Sequence, residues 1–128
     1  MFTNTSVFSS FSVNDLAEAL TFYRKTLELE VEETPQGLQM KFANGSTLFI
    51  YPKENHVPAT FTVLNFVVPS IDDTIQLLKV KGIEFEKYDT KEMQTDEKGV
   101  LRGKANGMGP DIAWFKDPAG NIISIIEE

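Results

Sequence analysis

Phe115-Lys-Asp-Pro-Ala-Gly-Asn-Ile122 reads as a tight turn between two strands. Proline presets one turn dihedral, aspartate can accept from nearby backbone N–H groups, and glycine takes positive φ. Apolar residues crowd both flanks, Asp111 to Phe115 before the turn and Asn121 to Ile126 after it, so the segment is predicted to be a β-hairpin. Shifting the chain by 75 residues lays Gly45 on Gly120, Leu48 on Ile123 and Ile50 on Ile125. An earlier copy of the hairpin around Asn44-Gly45 follows, and an internal repeat is the economical explanation.

Upstream of each hairpin the pattern also repeats. Val7, Phe11 and Val13 alternate with Phe8, Ser10 and Ser12, as in a half-buried strand. From Asp15 the period changes: Leu16, Ala19, Leu20, Tyr23 and Leu27 recur at helical steps, with Asn14 or Asp15 able to cap the start. Strands are then predicted at Leu29 to Val31, Leu38 to Phe42 and Thr47 to Tyr51, parted by Pro35-Gln36-Gly37 and Asn44-Gly45. The second half opens with a strand at Phe61 to Val68. A helix follows from Ser70 through Ile71, Ile75 and Leu78 to a stop at Gly82, and Ile83 and Phe85 continue as a strand. An offset of 55 superposes Leu16 on Ile71, Leu20 on Ile75 and Tyr23 on Leu78. Residues 88–108 are polar and glycine-bearing without sustained periodicity, and are expected to be a long mobile loop over a site. The expected fold is α+β: two βαβββ modules, about 1–56 and 57–128, in a single domain, with mixed sheets curled into cups and helices outside.

With 128 residues, 41% apolar and 24% charged, the chain has ordinary globular composition. At this length folding buries roughly two-thirds of the surface of the unfolded chain, so no staple is required. The absence of cysteine excludes disulfides, a thiolate nucleophile and cysteine zinc sites. Met1 to Asn14 has no basic stretch followed by an apolar run, so export and membrane insertion are not expected and a cytoplasmic location is. A net charge of −7 without a basic cluster argues against nucleic acid.

The stretch Ser12-Val-Asn-Asp-Leu16, followed by Ala19, Phe22-Tyr23, Leu27 and Leu29, resembles the opening of glyoxalase, bleomycin-resistance and extradiol-dioxygenase proteins, the vicinal-oxygen-chelate superfamily. The Asp117-Pro-Ala-Gly-Asn121 turn resembles that family's closing hairpin, and the resemblance spans essentially the whole chain. It implies four inward positions that hold a metal in metal-using members, falling here on Phe8, Phe49, Val63 and Ser124. Phenylalanine and valine offer no donor atom and a neutral serine hydroxyl is a poor ligand, so no metal and no cofactor are expected.

Strand alternation proposes a cup lining. Phe8, Ser10, Gln39, Lys41, Phe49 and Tyr51 come from the first module; Val63, Asn65, Val67, Trp114 and Ser124 come from the second. Leu38, Met40, Phe42, Phe66, Phe115 and Ile125 then face the helices. An aromatic lining with scattered polar groups suits a flat organic ligand. Glu30, Glu32, Glu84 and Glu86 read as solvated strand residues or as a wall attracting a cation, Met93 and Met108 as a lid or as cover for core edges, and His56 as a solvated loop residue. The leading expectation is metal-free sequestration of a small aromatic or cationic compound by a homodimer, the dimer being implied by the resemblance. The rivals are a lyase, isomerase or dioxygenase with a metal moved to Asp111, Glu54 or His56 or with acid–base work by Lys41 or Tyr51, and an interaction domain whose cup is filled by Phe8, Phe49 and Trp114.

Overall fold

A computed structural model describes residues 1–128. The chain divides into two compact units, Met1–Pro58 and Ala59–Glu128. In the first, β1 (Ser9–Val13) leads to α1 (Leu16–Thr21), a wider turn at Phe22–Thr26, and strands β2 (Glu30–Thr34), β3 (Gly37–Lys41) and β4 (Thr47–Pro52). These strands form one sheet in the order β1-β4-β3-β2, with only the β1–β4 pair parallel. In the second, β5 (Thr62–Val67) and α2 (Ile71–Val80) precede β6 (Val100–Arg102), β7 (Asp111–Lys116) and β8 (Ile122–Glu127). The sheet order β5-β8-β7-β6 repeats the first, again with one parallel pair, β5–β8. The fold is thus α+β, built from two βαβββ modules.

Local chemistry explains the repeat. Asp15 accepts from Glu18 N at 3.0 Å and Ser70 accepts from Asp73 N at 3.2 Å, so the two helices start from equivalent caps. Their ends differ by one residue. The Phe22–Thr26 turn is π-helical, Leu27 N donating to Phe22 O at 2.9 Å, and such a turn absorbs a one-residue insertion. Leu29 N therefore reaches Tyr23 O where Ile83 N reaches Leu78 O. The closing turns match bond for bond: Phe42 N donates to Ser46 O and Gly45 N to Phe42 O, as Asp117 N does to Asn121 O and Gly120 N to Asp117 O. Asp117, almost fully buried, also accepts from Ala119 N, Asn121 N and Asn121 Nδ2 at 2.8–3.0 Å.

Each sheet buries its helix-facing side. Leu38, Met40, Leu48 and Ile50 are buried in the first unit, where α1 packs on β3; Ala113, Phe115, Ile123 and Ile125 are buried in the second, where α2 packs on β7 and β8. No helix is long and apolar enough to cross a membrane.

The expectation of one long loop at 88–108 is corrected. Phe85 pairs with Phe115 and Glu86 N donates to Trp114 O, after which the chain leaves the edge of β7 and returns to it at Val100, opposite Ala113. Residues 87–99 are an excursion from a single strand track. It is a small hairpin in which Thr95 N donates to Tyr88 O at 2.9 Å and Thr90 N to Met93 O at 2.8 Å, followed by a turn where Asp96 accepts from Lys98 N and Val100 N. A three-residue strand is too short to show a period, which hid β6 in the sequence. The excursion at 87–99 and the longer turn at 103–110 supply most of the change from an offset of 55 to one of 75.

Candidate functional site

In the first module strand register puts five of the six expected residues, Ser10, Gln39, Lys41, Phe49 and Tyr51, on the face opposite the helix. Across the sheet Ser10 pairs with Phe49, Phe49 with Gln39, and Gln39 with Glu32. The next row joins Ser12 to Tyr51, and on the other side Thr47 pairs with Lys41 and Lys41 with Glu30. Phe8 lies just before β1 and is 64% exposed, Ser10, Lys41 and Tyr51 are exposed, and Phe49 and Gln39 are half-buried. The Phe49 ring leans over Gly37: a Cβ there would meet the ring at 3.0 Å and Ile50 O at 2.2 Å, so only glycine fits beneath it. Lys41 Nζ lies 3.5 Å from Glu32, both well exposed, so the pair contributes little to stability. Glu30 and Glu32 are set against one lysine, so the three side chains together carry net negative charge.

Ser12 adds a feature the sequence did not disclose. Its Oγ is 2.7 Å from Nδ1 of His56, which approaches from the 53–58 segment; the imidazole tautomer decides which atom donates. Lys53 N donates to Val13 O, extending the parallel β1–β4 ladder, and His56 N donates to Lys53 O in the turn that carries the imidazole.

The second module differs. Trp114 and Ser124 lie in one row with Asn65, but Trp114 is only 8% exposed and Ser124 is fully buried. Their polar atoms are engaged: Trp114 Nε1 donates to Thr62 Oγ1 at 3.1 Å, and Ser124 Oγ donates to Asn65 Oδ1. Tyr88, from the 87–99 excursion, sets its ring edge-on to the indole at 5.5 Å. Burial, with a smaller contribution from Glu86, pushes the Tyr88 phenol above its ordinary range, so it stays neutral. Thr62 and Tyr88 were missed by alternation. The register between β5 and β8 slips between Thr62 and Leu64, a bulge that brings Thr62 opposite Ile122 and puts half-buried Val63 out of simple alternation. Val67, in the next row, is 66% exposed.

On the helix side of the same sheet lies a charge network. Arg102 Nη2 donates to Asp72 at 2.8 Å and Nε to Asp96 at 2.9 Å, while Lys98 Nζ also reaches Asp72. The Arg102 hydrogen bond, opposed by slight burial and aided by Lys98, holds the Asp72 carboxyl at about 2. Burial pushes Asp96 up, but bonds from Val100 N, Arg102 and Lys98 N outweigh it and leave the carboxyl below its ordinary value. Lys104, with Ile71 N, lowers Glu127, whose carboxylate accepts from both. Asp111 belongs here, accepting from Lys104 N at 3.1 Å, in register with core residues Ala113 and Phe115 and out of register with Trp114.

The residues at the four positions that the resemblance implies for a metal do not fit one. Phe8, Phe49 and Val63 have no donor atom, and the Ser124 hydroxyl is committed to Asn65. No cluster of three or more His, Asp or Glu side chains is placed to hold an ion elsewhere.

A family model described as "Glyoxalase/Bleomycin resistance protein/Dioxygenase superfamily" matches residues 7–125. No curated protein matches the sequence. Among solved structures, a glyoxalase family protein from Enterococcus faecalis is 21% identical with a TM-score of 0.68, over 99% of this chain and 100% of that one. A genomically encoded fosfomycin resistance protein from Listeria monocytogenes is 14% identical with a TM-score of 0.68, over 98% and 93%. An antibiotic binding protein from a Streptomyces species is 19% identical with a TM-score of 0.64, over 98% of both chains. At these identities the likeness concerns the fold.

Proposed function

Since the chain belongs to the glyoxalase/bleomycin resistance protein/dioxygenase superfamily, whose name joins enzymes to a resistance protein, we propose that it is a metal-independent binding protein for a small, flat, aromatic or cationic organic compound. The observation that carries this reading is the side-chain set at the four positions that the resemblance implies for a metal: Phe8, Phe49 and Val63 have no donor atom, and the Ser124 hydroxyl is bonded to Asn65. On the first module, Phe8, Phe49 and Tyr51 offer aromatic surface for stacking, Ser10 and Gln39 offer hydrogen bonds, and Glu30 and Glu32 favour positive charge. The exposure of Phe8 and Tyr51 argues against an interaction domain whose first-module face is filled by its own side chains. In the second module Trp114 and Ser124 commit their polar atoms to Thr62 and Asn65, so the reading rests on the first module's face. The antibiotic-binding relative supports this reading by its fold.

Exposed Val7, Phe61 and Val67 support a homodimer, which sedimentation at graded concentration tests. A second reading rests on one contact: the Ser12–His56 hydrogen bond beside Tyr51 supplies a group for metal-free acid–base chemistry of a lyase or isomerase. A thermal-shift screen of aromatic cations with chelator present tests the binding reading. Stabilisation by unmodified compounds supports it; stabilisation only after divalent metal is added, or recovery of a chemically altered compound, overturns it.

A further inference from the structure

We propose that a cleft at the C-terminal end of α2 is a second ligand site, taking a small organic anion that carries an apolar group. The cleft has a volume of about 480 Å³. Lys79, Lys87 and Lys98 line it together with Glu84, and Ile83 and Phe85 supply apolar surface beside Gly82.

Composition does not produce this grouping. The chain carries a net charge of −7 and 12 Lys and Arg among 128 residues, yet three of the seven cleft residues are lysines. Helix electrostatics accounts for Lys79, since a cation in a last turn complements the helix dipole. It does not account for Lys87 and Lys98, which belong to the following segment and come back to the cleft through the 87–99 excursion. Lys98 shares its charge with Asp72 at 3.4 Å, whereas Lys79 and Lys87 enter no ion pair. With Glu84 as the one carboxylate of the lining, the cleft holds more positive than negative charge, and a bound anion relieves the excess.

The backbone at this end of the helix does not oppose an anion strongly. Leu78 O accepts from Lys81 N and Ile83 N, and Lys79 O accepts from Gly82 N, so these carbonyls are engaged. Gly82, at φ +90°, turns the chain without a side chain, and nothing lies within 4 Å of where a Cβ would stand, which leaves the mouth of the cleft open. Half-buried Phe85, fixed against Phe115 at 5.7 Å, offers ring surface for the apolar part of the ligand. Glu84 partly offsets the lysines and so selects against multiply charged polyanions.

The test is amide chemical-shift mapping of the full chain titrated with benzoate and with phenyl phosphate, using benzylamine as the cationic control. The expected result is saturable shifts at residues 79–87 and 98 with one or both anions and none with benzylamine. Whichever anion saturates identifies a carboxylate or phosphate site. K79Q/K87Q, which alters exposed side chains only, should retain its thermal midpoint and bind at least about tenfold more weakly. Shifts that never saturate, that follow benzylamine equally, or that persist unchanged in K79Q/K87Q would overturn the proposal. Failure here is distinguishable from failure of the primary site, which reads out on residues 10–51.

Discussion

The Tyr88 ring stands edge-on to the Trp114 indole, centroids 5.5 Å apart and planes at 83°, joining the base of an inserted hairpin to the sheet it left. Because Trp114 is the sole tryptophan, its emission reports this contact directly. Y88A should shift the emission to longer wavelength as the indole meets water, and should cost roughly 0.5–1.5 kcal/mol beyond the lost burial. Unchanged emission would mean that other groups shield the indole.

Gly37 is held between Phe49 and the backbone of β4, where an added Cβ would lie 2.2 Å from Ile50 O. G37A should destabilise the chain by about 1–3 kcal/mol, because backbone must move to admit it. It should also tilt the Phe49 ring and weaken any ligand stacked there. Denaturant midpoints check the first effect, and an unaltered midpoint would contradict the packing described.

Asp117 gathers three hydrogen bonds inside a nearly sealed turn. D117A leaves Asn121 N and Nδ2 without that acceptor, and a loss of about 2–3 kcal/mol is expected from buried donors left unsatisfied. The corresponding turn of the first module has Phe42 in place of Asp117 and relies on Asn44, which accepts from Ser46 N at 3.1 Å in an exposed position. N44A should therefore cost well under half as much.

Acid should act through the second module. The folded Asp72 carboxyl, at about 2 against an ordinary 3.8, binds protons less readily than in the unfolded chain, so its contribution is complete above about pH 4 and disappears as pH falls towards 2. Asp96 and Glu127 are lowered in the same sense. Urea midpoints between pH 6 and pH 2.5 should fall more for the native chain than for D72N; parallel falls would show that the Arg102 network has no part in acid sensitivity.

Much of the fold was legible because both modules announce their turns and caps in local chemistry: Asp15 and Ser70, Asn44-Gly45 and Pro118-Ala119-Gly120. Strand parity then placed Leu38, Met40 and Phe115 on the core side correctly. Parity failed where the chain departed from regular geometry. The bulge between Thr62 and Leu64 brought Thr62, a residue not considered, to the Trp114 indole. The excursion at 87–99 carried Tyr88 to the same place from a stretch without periodicity, and hid β6 behind Gly99. The Ser12–His56 bond joins residues far apart in sequence, and no local pattern marks it.

The central claim is that a flat cationic aromatic binds the first module's open face without a metal. Its most direct test is a titration of chelator-treated protein with proflavine, followed by amide chemical shifts of native chain and of F49S. The account predicts saturable shifts at Ser10, Gln39, Phe49 and Tyr51 that are indifferent to added Zn²⁺ or Mn²⁺, with affinity at least about tenfold weaker in F49S, since base-type stacking on one aromatic contributes roughly 1–3 kcal/mol. Shifts that require a divalent ion, or that leave these four residues untouched, would contradict it.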